Sequence, residues 1–532
     1  MAHITIRSLL LVAGFLAIAA FYYWINWSTE LPVLGGDHAA YLLMADYFSP
    51  FSDRNHEVMR AATAYSFFPP LYPLILGLID ATSAHIEIAH AVTVTFLLAA
   101  LVWFFVWAQH ETGSMVQAFL LAAIFALLPT TFFQSFGILS ENLYLLLTLV
   151  AIWLLARQDV SLSRLYIASM VIGLAAITRT VGVALILAFA IYLFIHHRKQ
   201  LFRFTLISLI PVFTWSAVKR LLEFEGGYSW MISGFADVTS ISDLLWNKLL
   251  IEGHGLWAGW ITSFDPVPSL MTLIVGSIVC AICLAGSVHR AYLGKFDGIY
   301  LIIYLGVLLL WPSAPDAKRF LYVIFPILLL HGFQLISHVI RRFSVRSTAI
   351  YGYVYILVIA LSAFPATGII IQRLASAAQQ ENSEYAKSLY WYSGSNVKRD
   401  LDRARLKIAV YKKYILSWRR IADSVPEGEC VYSVDPTWLM LYADRASYAT
   451  PRALTQDEFL VQASRCRFIY VASYTRVPYS VFYPREYLQT GRIVFTDRVE
   501  DVNGRPILGM LLELPRKGHS FMNGDDVGDK KK

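Results

Sequence analysis

The chain has 532 residues, 57% of them hydrophobic and 15% charged, with a mean hydropathy of +0.54. Soluble domains run at about 45–50% apolar and ~25% charged, so this composition excludes a cytosolic enzyme or nucleic-acid binder as the default and points to a polytopic membrane protein. The net charge of +7 is the usual product of a positive-inside bias and implies no nucleic-acid partner.

A bilayer core of about 30 Å needs ~20 apolar residues per helix. Runs of this kind predict about eleven transmembrane helices, at 8–25, 88–107, 115–133, 143–156, 165–177, 181–195, 201–218, 266–288, 298–311, 320–340 and 349–371. The first reads as a retained helix, because no small-x-small cleavage site follows it. The loop at 26–86 is rich in Asp, His, Pro and Tyr, and its apolar piece at 67–79 is too short to span, so it should lie at the interface or re-enter. Segment 165–195 is either one long helix interrupted by Arg179 or a hairpin turning at Thr178-Arg179-Thr180. Arg157 and Arg164 before it, and Arg198, Lys199 and Arg203 after it, place both ends on one face, which selects the hairpin. Arg7, Arg290 with Lys295, and Arg341, Arg342 and Arg346 then fall on that same cytoplasmic face. This orientation puts the N-terminus inside and the C-terminus outside. The loop at 221–265, with Trp230, Trp246, Trp257 and Trp260, reads as a helix lying on the membrane surface.

Past about residue 372 the composition becomes that of a soluble protein. An amphipathic helix is expected at 398–421, strands at 430–434, 468–473, 493–496 and 508–514, and helical pieces at 436–442 and 455–463. Cys430 and Cys466 each open a strand in an oxidising setting, which makes a structural disulfide plausible. The expected organisation is a membrane domain at 1–371 that includes the outer loop, an extracytoplasmic α/β domain at 372–516, and a disordered tail at 517–532.

Three stretches carry the chemistry. Gly35-Gly36-Asp37-His38 opens a helix in the first outer loop, where Asp also serves as an N-cap. Phe68-Pro69-Pro70-Leu71-Tyr72-Pro73 follows, and Ser140-Glu141-Asn142 opens a span. Together they resemble the PMT-type glycosyltransferases of the GT-C superfamily, the group that contains protein O-mannosyltransferases and the aminoarabinose transferase ArnT. Those proteins show Gly-Asp-Glu in the first outer loop, Pro-Pro-Leu-Tyr at a juxtamembrane helix and an acidic residue heading the fourth span. The resemblance covers roughly the first 340 residues. It departs at His38, which stands where the family has Glu and leaves the role of that position open.

The resemblance implies transfer of a sugar from a polyprenyl-phosphate carrier to a hydroxyl of a glycan, lipid or protein acceptor, in a bacterial plasma membrane and on its outer face. Such a transfer needs a base for the hydroxyl proton and positive charge for the departing lipid phosphate. Family position makes Asp37 the base and Glu141 its catalytic companion, which would orient the acceptor, pair with Arg179 or cap its helix. Arg179 lies at membrane depth, where a charge costs about 2.5–3.5 kcal/mol, and so should have a partner or a function. Lys318 and Arg319 precede a late span on the outer side, against the positive-inside trend, as candidates to grip the phosphate. His38, Tyr41 and Tyr72 are further candidate substrate contacts, with interfacial packing the commoner role for the tyrosines. Asp37, His38, His56 and Glu141 are ligand types for a divalent metal, but their spacing matches no dedicated motif and leaves a metal open. A transporter of lipid-linked saccharides is the alternative, weakened by the lack of an internal repeat.

Overall fold

The computed structural model describes residues 6–27, 36–65, 68–157, 160–224, 241–310, 317–342, 348–378, 401–450, 465–472, 491–500 and 506–514. It begins with α1 (Ile6–Asn26), followed by three short helices of the first loop, α2 (Gly36–Phe48), α3 (His56–Ala62) and α4 (Leu71–Leu78). The bundle continues through α5 (Ile86–Thr112), α6 (Met115–Leu127), α7 (Pro129–Ser135), α8 (Glu141–Leu155), α9 (Leu162–Ala176), α10 (Val183–His196) and α11 (Leu201–Leu221). Then come α12 (Ile241–Phe264), α13 (Leu270–Tyr292), α14 (Phe296–Leu310), α15 (Ala317–Tyr322), α16 (Phe325–Arg341) and α17 (Thr348–Ala378).

A helix stands at each of the eleven expected spans. Among the described residues five helices are long and apolar enough to cross a membrane, or six if α6 and α7 form one bent span; α8, α9, α10, α14 and α16 are apolar but shorter. The protein is thus a polytopic helical membrane protein. Two expected spans are broken. The one at 115–133 bends by 63° between α6 and α7. Leu128 there is extended (φ −67°, ψ 141°), as a residue before proline prefers, and Pro129 starts a new helix without an N–H to continue the old one. The span at 320–340 is likewise divided into α15 and α16, with Pro326 in the first turn of α16. The hairpin at Thr178-Arg179-Thr180 is present, with Arg179 extended between α9 and a short 3-10 turn at Thr180–Gly182. In the loop at 221–265, α12 does more than lie on a surface: Trp260 is buried and stacks on Phe325 at 4.5 Å.

The C-terminal unit comprises α18 (Leu401–Ser424), β1 (Val431–Ser433), α19 (Pro436–Ala443), β2 (Ser447–Ala449), β3 (Phe468–Ala472), β4 (Arg492–Glu500) and β5 (Pro506–Glu513). The strands form one mixed sheet in the order β2-β1-β3-β5-β4, parallel across β2-β1-β3 and antiparallel across β3-β5-β4. A disulfide joins Cys430 and Cys466. Strand β2 was not expected from the sequence, while the helix expected at 455–463 and the tail at 517–532 lie outside the described residues.

The first loop and this C-terminal unit share one apolar cluster, which includes Tyr41, Leu42 and Leu76 from the loop and Trp418, Trp438 and Leu439 from the unit. Burial on both faces explains why α2 is apolar almost all round, with His38 through Asp46 all buried. At Gly77 in α4 a Cβ would meet the Ala45 carbonyl at 2.5 Å, so glycine lets α4 cross α2 at backbone contact. Arg54 ties the two parts together. Its guanidinium pairs with Asp46 at 2.8 Å, donates to Ser83 Oγ at 2.7 Å, and donates to the Met440 carbonyl at 2.8 Å and the Leu441 carbonyl at 3.3 Å. The last two are carbonyls in the final turn of α19, where Met440 also accepts the Asp444 N–H at 3.2 Å, so Arg54 adds to the cap of a helix 386 residues away in sequence.

Candidate active site

Four charged side chains meet at one end of the bundle, each from a different segment. Asp37 stands in the first turn of α2, where the helix dipole favours an anion. Glu141 opens α8, Arg179 sits at the tip of the α9–α10 hairpin, and Arg319 lies in α15. Arg319 donates through Nε to the Glu141 carboxylate and through Nη1 to Asp37 Oδ2. Arg179 Nη1 reaches Glu141 Oε1 at 2.6 Å and Ser140 Oγ at 3.3 Å. Two acids and two guanidiniums cancel in formal charge, which is what allows the group to sit out of water.

The two carboxylates are not equivalent. The Glu141 side chain is 1% exposed and held between two arginines, whereas Asp37 is 32% exposed and touches one of them. Glu141 is therefore the pivot that positions Arg179 and Arg319, and Asp37 is the carboxylate with open access. Of the roles the sequence left open for Glu141, pairing with Arg179 is present.

His38 follows Asp37 but is buried at 3% exposure against Gly137, where a Cβ would come within 2.7 Å of its ring. Burial pulls this imidazole down to about 4, outweighing the opposing pull of Asp37, so it is neutral near neutral pH. Tyr41 places its hydroxyl 2.8 Å from Ser140 Oγ and packs edge-on against Tyr72 at 5.1 Å. Tyr72 is fully buried and its hydroxyl is 2.6 Å from Thr93 Oγ1, so its contacts are with the protein itself. Lys318 diverges from its neighbour Arg319. Its ammonium lies 5.4 Å from the Phe133 ring, and burial lowers it to about 8 against the opposing charge of Asp265. Pro70 and Leu71 anchor the loop differently: the Leu71 N–H bonds the Ile177 carbonyl at 3.0 Å, which fixes α4 to the hairpin that carries Arg179.

Three contributors escape a reading of the sequence. Ser140, next to Glu141, touches both Tyr41 and Arg179. Asn142 accepts from Tyr322 at 2.6 Å and donates to the Thr93 carbonyl at 3.3 Å, tying α8 to α15 and α5. Thr437 of α19 comes so close that a Cβ on Gly36 would be 2.9 Å from its Oγ1, which brings the C-terminal unit to the residue before Asp37. For the first two, adjacency to Glu141 was the available signal; for Thr437 there was none. Among the described residues no three His, Cys, Asp or Glu side chains gather to hold a metal ion. His56 is exposed at the start of α3.

No family model matches the chain, and no curated protein matches it by sequence. Among solved structures, ArnT from Cupriavidus metallidurans in the apo state matches with a TM-score of 0.51 and 13% identity, over 94% of this chain and 97% of that one. The same protein bound to undecaprenyl phosphate gives a TM-score of 0.46 at 14% identity over the same shares. An oligosaccharyltransferase from Archaeoglobus fulgidus gives 0.47 at 15% identity, over 86% of this chain and 69% of that one. The apo ArnT likeness extends over nearly the whole of both chains and shows that this chain has that fold; at such low identity it bears on the fold alone.

Proposed function

We propose that the chain is an integral membrane glycosyltransferase that moves a sugar from a polyprenyl-phosphate carrier to an acceptor hydroxyl on the outer face of a bacterial plasma membrane, with inversion. The observation that carries this reading is the pairing of a partly open Asp37 with Arg319, on a pivot of buried Glu141 and Arg179. It puts a proton acceptor and fixed positive charge side by side, the two groups this displacement needs. ArnT, whose apo structure shares this fold, also binds undecaprenyl phosphate, which supports a carrier of this class here.

In the proposed step the acceptor oxygen attacks the anomeric carbon while its proton passes to an Asp37 carboxylate oxygen. The bond from the anomeric carbon to the phosphate oxygen breaks, and its electron pair stays on that oxygen as a lipid phosphate. Arg319 and Arg179 meet the developing negative charge, with Lys318 available at the same end of the bundle. A single displacement from the opposite side inverts the anomeric centre. Asp37→Asn keeps the shape of the site but removes the base, and should lower transfer by about 10²–10⁴-fold in membranes containing normal amounts of folded protein. Near-normal transfer in that variant would remove Asp37 from the role. Movement of lipid-linked sugar across vesicles with no transfer to any acceptor would instead favour a transporter.

A further inference from the structure

A cavity of about 800 Å³ opens far from Asp37, and helix polarity fixes where it is. Its walls include the last turns of α5 and α13, the first turn of α6 and the C-terminal half of α16. Arg319 precedes the start of α16, and Arg341 ends it. A helix of 17 residues is roughly 25 Å long, so the cavity and the Asp37 site lie at opposite ends of the bundle.

The acids around the cavity are already engaged. Glu111 Oε2 accepts from Arg290 Nη1 at 2.9 Å and from Gln334 Nε2 at 2.6 Å. Asp297, behind the wall, is held by Arg290 Nη2 at 2.5 Å and His331 Nε2 at 3.1 Å. Arg290 is committed to Glu111, Gln334 and Asp297. The rings of His289 and His338 stand 4.9 Å apart, and Arg341 lies within the same cavity lining with no acidic partner among the described residues. A positive-inside bias accounts for Arg341 alone. It does not account for two histidines paired at the same mouth. Leu293, Phe333 and Leu335 supply apolar wall beside these groups.

Cavities of 300–1,000 Å³ with a few convergent polar groups are of the size that holds small ligands. A guanidinium with two imidazoles beside an apolar wall suits an oxyanion carried on an apolar body, and phosphate is the oxyanion that a bilayer surface presents. We propose that this cavity binds a phosphate group, supplied by an anionic lipid headgroup or by free phosphate, through Arg341, His338 and His289. The proposal is independent of the chemistry at Asp37.

The test uses the full-length chain in detergent, titrated with short-chain phosphatidylglycerol, phosphatidylcholine and inorganic phosphate and read by native mass spectrometry. Phosphatidylglycerol should saturate one site per chain. Arg341→Ala combined with His338→Ala should weaken it by about tenfold or more, because two donors to the phosphate are lost, while Arg341→Lys should retain most of the affinity. Both residues lie at the exposed end of α16, so an unchanged melting temperature of the unliganded variant confirms that the fold is intact. Displacement of phosphatidylglycerol by millimolar phosphate supports the site and assigns it to free phosphate; binding that resists phosphate supports it and assigns it to the headgroup. Unsaturable binding, equal binding of phosphatidylcholine, or affinity unchanged in the double variant overturns the proposal.

Discussion

Arg319 and Glu141 come from segments 178 residues apart, yet the Arg319 Nε–H is directed at the Glu141 carboxylate while the other arm of the same guanidinium holds Asp37. One side chain thus sets the distance between a buried acid and a partly open one. The two acids should respond differently to substitution.

Glu141→Ala leaves buried Arg179 without its counter-charge and Arg319 with Asp37 alone. Removing one partner of a buried pair costs about 3–5 kcal/mol, so this variant should melt well below the wild type and lose transfer as a consequence. Asp37→Asn keeps a hydrogen-bond acceptor for Arg319 at a partly exposed position, and should lose transfer with its melting temperature nearly unchanged. Thermal melting followed by size-exclusion chromatography separates the two cases. Equal destabilisation would contradict the division into pivot and base.

Arg54→Ala removes the donor that caps α19 and the partner of buried Asp46. A buried charge-assisted bond is worth about 1.5–3 kcal/mol, and its loss should loosen the contact between first loop and C-terminal unit. Limited proteolysis of the membrane-embedded protein should then release the C-terminal unit faster than in the wild type, and transfer should fall although Arg54 does not touch Asp37. A cleavage rate equal to the wild type would show that Arg54 is not a tie.

His38 is held at about 4 in the folded protein by burial, below its ordinary value near 6.5. The unfolded chain therefore binds the proton more readily, so the contribution of this residue to stability is complete above about 6.5 and is lost as pH falls toward 4. His38→Gln should flatten the decline of melting temperature over that window. Between pH 7 and 8 His38 stays neutral in both states, and the pH profile of transfer should keep its shape in the variant. A profile limb that disappears with His38 would instead give it a proton to carry.

The Cys430–Cys466 bond closes a segment with a sequence separation of 36. In the chain-entropy description such a loop is worth about 3–4 kcal/mol. Cys430→Ser with Cys466→Ser should make the C-terminal unit protease-sensitive, while Cys280→Ser, within α13, should not. Resistance to protease in the double variant would show that the sheet is stable without the bond.

Hydropathy located the membrane helices because crossing a bilayer leaves one local signature, a long apolar run, whatever the helix packs against. It placed the outer ends of α8, α15 and the α9–α10 hairpin on one side, and so grouped Asp37, Glu141, Arg179 and Arg319 by face. It did not show that one guanidinium bridges two of the acids, since that depends on distances across four segments. The break at Leu128–Pro129 was written in the proline, but averaging over an apolar window hid it. The separation of Lys318 from Arg319 follows from helix rotation, about 100° per residue, which turns adjacent side chains toward different neighbours. Arg54 carried no local signal: capping a helix so remote in sequence is visible only once both are folded.

That remoteness sets an order of events in synthesis. The ribosome delivers α2 to the membrane long before α19 exists, and contacts so distant in sequence close late because the intervening chain must first be ordered. The membrane helices can insert and pack as they emerge, but the cover over α2 and the cap supplied by Arg54 wait for the final stretch of the polypeptide. A nascent chain halted before residue 436 would lie in the bilayer with its charged cluster assembled on one side only, and without the wall that Thr437 brings up to Gly36.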